Sequence, residues 1–426
     1  MDIEKIDSDR FFLIILTLSA IVSVIFVILV SVSAIASEVV DIYFQYADEV
    51  MGGRAPQMEY PPFALLLLMI PRLFTDDPFV YEALFVAQTY VFFAVGLWIV
   101  RRLAAFFGKS QNLIMLVYAA FSFLMIEFIA DRYDIFPIVL TLLSLYLFVT
   151  KRYISALLLL SIATMTKMYP VVLFPIYIIP FFVDRDWKNA LRITGFLAAV
   201  MALLIIIPYA AGTGLITDFI GYHSGRPLQV ESVAASFISV AKMLGLTDAW
   251  VEYSYGSFNL MGDWPNAVSS YMTALMGVCM LAAYAVYAGL LLKLRREGSD
   301  ADKQMILFGS GALLTLLLFM MAGLVFSAQY VLWAVPFILF LLLMPIGETA
   351  KKKLLILSVV VLFLTQLNVV VNISLCGGNM EDPGLLIIFA RNIALLVLAH
   401  HVFRIARDCV GGRGPSSPRS FLKFWA

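Results

Sequence analysis

Charge is scarce in this chain. Only 14% of its 426 residues are Asp, Glu, Lys or Arg, while 62% are hydrophobic. A soluble domain is nearer a quarter charged and half apolar, so a soluble fold carries little weight. Cysteine and histidine are almost missing, with three of each. The cysteines are scattered: Cys279 in an apolar run, Cys409 in the basic C-terminal region and Cys376 by itself between two runs. Neither a disulfide framework nor a metal site is expected from them. There is no glycine-rich phosphate loop, and the formal net charge is zero. A nucleotide cofactor and a nucleic-acid partner are therefore not expected.

Long apolar runs are what the chain has instead. A membrane helix takes about 20 mostly apolar residues. Runs near 11–36, 79–102, 112–130, 134–150, 153–167, 168–183, 190–211, 266–294, 304–325, 328–345, 352–373 and 384–406 predict an all-α polytopic membrane protein of about twelve spans. Residues 1–406 read as one transmembrane domain. Pro170, Pro175 and Pro180 interrupt the stretch 153–183, which reads as two short helices or one kinked one. The run 63–74 is short and reads as a re-entrant or interfacial segment.

Lysine and arginine set the orientation. With the N-terminus in the cytoplasm, the short inner connections hold clusters such as Arg101-Arg102, Lys151-Arg152, Arg295-Arg296 and Lys351 to Lys353. Both termini then lie inside, in a protein of the plasma membrane. "SAIAS" at 33–37 resembles a signal-peptidase site, but the run before it is long and "MDIEKIDSDR" is not basic, so the first helix is expected to stay uncleaved. Residues 407–426 read as a basic, flexible cytoplasmic tail near anionic lipid. "DRD" at 184–186 reads as a solvated inner turn.

The inner loops are short, and the two long connections, 37–78 and 212–265, fall outside. The second contains "SVAASFISVAKML", apolar at helical spacing, followed by Trp250, Tyr253, Tyr255 and Trp264. It predicts a helix lying on the outer interface and anchored by aromatics. Charges at the outer ends of spans include Asp41, Asp131, Arg132, Asp134, Lys167, His223, Arg226, Glu231 and Arg391. Such charges are costly unless paired or used. Arg132, Lys167, His223 and Arg226 are cations retained on an otherwise acidic face, which suggests a bound anion such as phosphate. Each also has a plainer reading. Lys167 can snorkel to the interface, Arg132 can pair with Asp131 or Asp134, and Arg226 can be a solvated loop residue. Asp41, just beyond the first span, reads by position alone as an ordinary loop acid.

Six stretches in order carry a resemblance: "DIYFQYA", "YPP" opening an apolar helix, "DRYDIFPIVLTLLSLYL", "TKMYPVVLFP", "YHSGRPLQVES" and "FSAQYVLWAVP". Together, over roughly residues 38–340, the chain resembles the polyprenol-phosphate-sugar glycosyltransferases of the GT-C superfamily, and among them glycosyltransferase family 87. Where that family often has Ser-Pro-Gln-Tyr, this chain has Ala328 in place of the proline.

The resemblance implies a GT-C fold with its active site in the outer loops. The donor it implies is a polyprenyl phosphate bearing one sugar, usually mannose and in some members arabinofuranose. The acceptor is a lipid-linked or glycan hydroxyl on the outer face. The resemblance also matches Asp41 to the family's catalytic aspartate. The chemistry fits this assignment. Attack by a hydroxyl needs one carboxylate to take its proton, and the phosphate leaves as an anion without being protonated. A glycosidase needs two carboxyl groups, whereas this transfer needs one base plus cations for the phosphate. Asp41 is thus expected as base and, unlike most acids of its loop, withheld from water, with Arg132, Lys167, His223 and Arg226 holding phosphate. Tyr60, Asp134, Gln229, Glu231, Gln329 and Tyr330 are expected sugar or acceptor contacts. No metal or other cofactor is expected. A polytopic transporter or flippase for a lipid-linked sugar is the alternative, but transporters keep ionisable groups near the midplane, and here the span interiors read as clean.

Overall fold

In the computed structural model the chain is described over all residues except 1–3, 5, 34–36, 38, 211–213, 299, 376–379 and 412–426. It divides into two compact units. One comprises residues 1–174 and 188–225, and the other comprises 175–187 and 226–426.

The first unit begins with α1 (Ser8–Ser33). A π-helical turn, Val39–Phe44, runs directly into α2 (Gln45–Met51). Next comes α3 (Pro62–Arg72), where proline at the first helical position sets φ without losing a needed donor. Its 11 residues rise only about 16 Å, half of a bilayer core. Then follow α4 (Pro78–Phe106), α5 (Gln111–Leu124), α6 (Ile126–Ala130), α7 (Ile135–Val149) and α8 (Tyr153–Thr166). A 3-10 turn, Tyr169–Leu173, leads into α9 (Phe174–Val183), which from Pro175 onward belongs to the second unit. After it come α10 (Trp187–Ala210) and α11 (Leu215–Ser224).

Helix α4 is the hub of this unit, packing on α1, α5 and α7. Polar side chains tie the helices by bonding backbone carbonyls, as apolar surroundings require. Tyr90 of α4 donates to Leu16 of α1 at 2.8 Å, Tyr81 of α4 to Leu68 of α3 at 2.9 Å, and Ser144 of α7 to Ala156 of α8 at 2.7 Å.

The second unit holds α12 (Val233–Met243), α13 (Asp263–Arg296), α14 (Ala301–Ala322), α15 (Val335–Leu343), α16 (Glu348–Leu375) and α17 (Asp382–Val410). Helix α14 is its buried centre, against α13, α15 and α17. A 3-10 turn, Ala328–Ala334, precedes α15. A three-stranded antiparallel sheet interrupts the helices, ordered β1 (Leu228–Gln229), β3 (Ser257–Met261), β2 (Trp250–Ser254). Leu228 pairs with Leu260, and Trp250 with Met261. The sheet's apolar face and Ala235 and Ile238 of α12 close over Met272 of α13 and Leu385 and Ile388 of α17.

Seven described helices are long and apolar enough to cross a membrane: α1, α4, α10, α13, α14, α16 and α17. The chain is a helical multi-pass membrane protein. The other five expected spans fall on shorter apolar helices, because their hydrophobic runs are broken. The run at 112–130 divides at Met125, and the runs at 168–183 and 328–345 open with 3-10 turns. The expected interfacial segment 232–244 is helix α12. The aromatic stretch after it is not an extended anchor but the β2–β3 hairpin, a departure from an all-helical reading. Residues 407–410 continue α17, Gly411 ends it, and positions 412–426 of the expected tail lie outside the described residues, as do Cys376 and positions 34–36 of "SAIAS". "DRD" is not a freely solvated turn either, since Asp184 pairs with Arg295 of α13.

Candidate active site

In the first unit, four of the sequence motifs meet. "DRYD" forms the tight connection between α6 and α7, and Lys167 ends α8 in extended backbone. Lys167 Nζ lies 2.7 Å from an Asp134 carboxylate oxygen, and both residues are buried. The ammonium also sits 4.7 Å from the Tyr133 ring centroid and 5.9 Å from that of Tyr60, within range of a cation–π attraction. Burial lowers the Lys167 pKa, Asp134 opposes that shift, and neighbouring Arg132 adds to it. Lys167 therefore does not snorkel. Its charge is committed to Asp134 within the wall of the site, and Asp134 in turn is a partner of Lys167 before any sugar.

Three tyrosines pack edge to face around this pair. Tyr60 and Tyr133 have centroids 4.7 Å apart, Tyr43 and Tyr133 5.8 Å, and Tyr43 and Tyr60 6.0 Å. Burial pushes the Tyr43 and Tyr60 hydroxyls well above the ordinary phenol range, so they stay neutral. Each of these tyrosines stands beside an acid in its motif, in "DIY", "EYPP" and "DRYD". That recurrence is the sequence signal by which the cluster could have been found.

The π-helical turn places Asp41 at the surface of this unit. The residue is exposed, and its backbone N–H donates to the Ser37 carbonyl at 2.8 Å. Asp41 was expected to be withheld from water, and it is not. Its carboxylate is open to solvent. π-helical turns are rare and gather at functional sites. Beneath the turn lies Asp131, which reading the sequence left as a possible partner of Arg132. Its carboxylate accepts from the Ser37 hydroxyl at 2.9 Å and from the Val39 N–H. Burial raises the Asp131 carboxyl to about 7, while the Ser37 hydrogen bond pulls it down and Glu127 pushes it up.

His223, on α11, is exposed with Nε2 3.1 Å from the Glu59 carbonyl oxygen, which brings a cation-forming ring next to Tyr60 in sequence. Arg132 is half-buried and lies close enough to Lys167 to depress its pKa. Together these residues make an acidic and aromatic wall with an exposed carboxylate, flanked by Arg132 and His223. It is a polar, partly exposed site carrying both acidic and basic groups.

A sequence model of glycosyltransferase family 87 matches residues 59–319. The chain belongs to glycosyltransferase family 87. No curated protein and no solved structure matches it. The family-87 match takes in Tyr60, Arg132, Asp134, Lys167, His223, Arg226, Gln229 and Glu231. It does not include Asp41, Gln329 or Tyr330.

The second unit of this family-87 chain holds the remaining expected site residues, and most of them brace its backbone. Arg226 donates to the Tyr255 carbonyl at 3.2 Å and the Ser257 hydroxyl at 2.8 Å, clasping the β2–β3 turn rather than waving in solvent. Gln229 accepts from the Phe326 N–H at 2.8 Å and donates to the Ser327 hydroxyl at 3.2 Å. Glu231 pairs with Arg391 of α17 at 3.3 Å, and Arg391 also donates to the Glu231 carbonyl. Arg391 is 0% exposed and its guanidinium lies 4.4 Å from the Phe326 ring centroid. It sits within α17, so the span interiors are less clean than they read. Tyr330 stacks on Trp333 at 3.8 Å, and Gln329 beside it is half-buried.

Proposed function

We propose that this glycosyltransferase moves a sugar, most consistently mannose, from a polyprenyl phosphate to a lipid-linked or glycan hydroxyl on the outer face of the plasma membrane. The observation that carries the reading is Asp41: an exposed carboxylate on a π-helical turn at the end of α1, beside the tyrosine and Asp134–Lys167 wall.

Asp41 takes the acceptor hydroxyl's proton as the oxygen attacks the anomeric carbon. The bond to the donor phosphate breaks on the opposite side, so the anomeric centre inverts. The lipid phosphate departs as an anion, and fixed cations stabilise the charge it gains. Arg132, Lys167, His223 and Arg226 are the cations proposed for that role, with Arg132 and His223 bordering the tyrosine wall. The tyrosines supply flat apolar faces and neutral hydroxyls for the sugar. The membrane spans let the isoprenoid stay in the bilayer while its head group reaches the outer loops. The orientation comes from the clustering of lysine and arginine in the short inner connections, with about twelve spans counting the shorter helices, and no metal is called for.

The test reconstitutes wild type and Asp41→Asn in liposomes with radiolabelled polyprenyl-phosphate mannose and a lipid extract of the host. Label should move to a new product with wild type, and Asn should slow it on the order of 10²- to 10⁴-fold. Transfer by the Asn protein within a few-fold of wild type removes the base assignment. If wild type consumes neither the mannosyl nor the arabinofuranosyl donor, the donor class is wrong.

A further inference from the structure

The Asp41 turn is attached at one end to a residue that catalysis as described does not use. Ser37 closes the start of the turn: its carbonyl accepts the N–H groups of Val40 at 3.1 Å and Asp41 at 2.8 Å. The Ser37 hydroxyl, in turn, donates to Asp131 at 2.9 Å, and the Val39 N–H donates to the same carboxylate. Two anchors of the turn, at residues 37 and 39, therefore end on one side chain, which arrives from the α6–α7 connection 94 residues from Ser37. The opposite face of the turn is fixed by Tyr43, 1% exposed and packed on Tyr133, two residues after Asp131. Nothing in helix propensity requires a half-buried carboxylate here. An acid in this environment is costly, and a serine or asparagine could cap the same groups without charge.

We propose that Asp131 is a positioning residue for sugar transfer: it holds the first turn after α1 so that Asp41 is presented to the acceptor in one orientation. The inference rests on Asp41 being the base. Asp131 works through the backbone at 37–41, and the acceptor meets Asp41. The charged and titratable groups around Asp131 are Glu82 from α4, Glu127 from α6 and Tyr43 from the turn itself. The two acids oppose its ionisation. Ionised Asp131 accepts both bonds more strongly than the protonated form. Transfer by wild type should therefore rise with pH through the region of 7, a limb that Asp131→Asn should remove.

The experiment uses full-length protein in nanodiscs: wild type, Asp131→Ala, Asp131→Asn, Ser37→Ala and Asp41→Asn. Hydrogen exchange of the peptide spanning 37–44 is read first, because it needs no donor. Asp131→Ala should speed exchange of that peptide roughly tenfold while leaving α7 and α8 protected. Asp131→Asn keeps one acceptor oxygen and should fall between the two. With polyprenyl-phosphate mannose and host lipid extract, Asp131→Ala should lower kcat by about 10- to 100-fold, the size expected for a misplaced catalytic group, with donor KM within about threefold. Asp131→Asn should retain more activity and lose the pH limb near 7. Ser37→Ala combined with Asp131→Ala should cost little more than Asp131→Ala alone, because both act on one connection. Unchanged exchange at 37–44 in Asp131→Ala overturns the proposal, and so does faster exchange with an unchanged kcat. An inactive Asp41→Asn beside a fully active Asp131→Ala sinks this inference and leaves the base assignment standing. An active Asp41→Asn sinks the base assignment itself, and with it any role for Asp131 in presenting a base.

Discussion

At the scale of single residues, the first unit puts its charges in pairs before offering them to a substrate. Asp134 and Lys167 are both buried and 2.7 Å apart. Removing one partner of such a pair strands the other, at a cost of about 3–5 kcal/mol, whereas replacing both with apolar groups is closer to neutral. Lys167→Met should therefore lower the thermal midpoint sharply, and adding Asp134→Leu should restore much of the loss. Differential scanning fluorimetry checks it, and a mild single variant would mean the lysine's charge is solvated after all. Asp131 gives a second residue-scale expectation, in stability. Its carboxyl is raised to about 7 in the folded protein, so the folded state holds that proton more tightly than the unfolded chain. The contribution is complete below about pH 4 and is lost as pH rises through 7. The melting midpoint of wild type should fall relative to Asp131→Asn over that window and run parallel above it. Parallel behaviour throughout would assign the titration elsewhere. The charges themselves were legible, because a lysine or aspartate at the end of an apolar run stands out. Their partners were not: Asp134 and Lys167 are 33 residues apart, and Glu231 and Arg391 are 160 apart.

At the scale of elements, close approach and turn geometry decide what the apolar pattern leaves open. Helices α4 and α5 meet where Gly96 has no side chain, and a Cβ there would come 2.2 Å from the Tyr118 hydroxyl. Gly96→Val should destabilise by about 1–3 kcal/mol, the range for overpacking a tight core. Gly277 of α13 has nothing within 4 Å, so Gly277→Ala should be neutral or stabilise by up to about 1 kcal/mol. Equal effects at the two sites would show that α4 and α5 do not pack as described. The β2–β3 hairpin was the element least legible. Its tryptophans and tyrosines read as interface anchors, and that periodicity hid the strands. The available signal was local: "WVEYS" and "SFNLM" are separated by only Tyr255-Gly256, with φ of 53° and 65°. Two central residues at positive φ are the hairpin turn that matches strand twist. Spans with prolines or 3-10 openings were found by composition, yet their helical lengths could not be read from hydropathy.

At the scale of the molecule, composition alone fixed the class: so few charges and such long apolar runs leave a multi-pass membrane protein. The clusters of lysine and arginine in the short connections predict an orientation, with those connections inside. In a background with Cys279, Cys376 and Cys409 replaced by serine, Tyr253→Cys should react with an impermeant maleimide added to intact cells. Lys352→Cys should react only after permeabilisation. The reverse pattern would turn the molecule over and put the Asp41 turn on the cytoplasmic side.

The Arg391–Glu231 lock has a consequence for how the chain is made. Glu231 leaves the ribosome 160 residues before the arginine that neutralises it. At roughly 5–20 residues per second, that is a wait of about 8–30 s. For that time β1 and the start of α12 have a carboxylate with no guanidinium, and the sheet has no α17 to close against. The second unit is therefore sealed only by the arrival of the last helix, and a chain stopped short of Arg391 is one that quality control should recognise as unfinished.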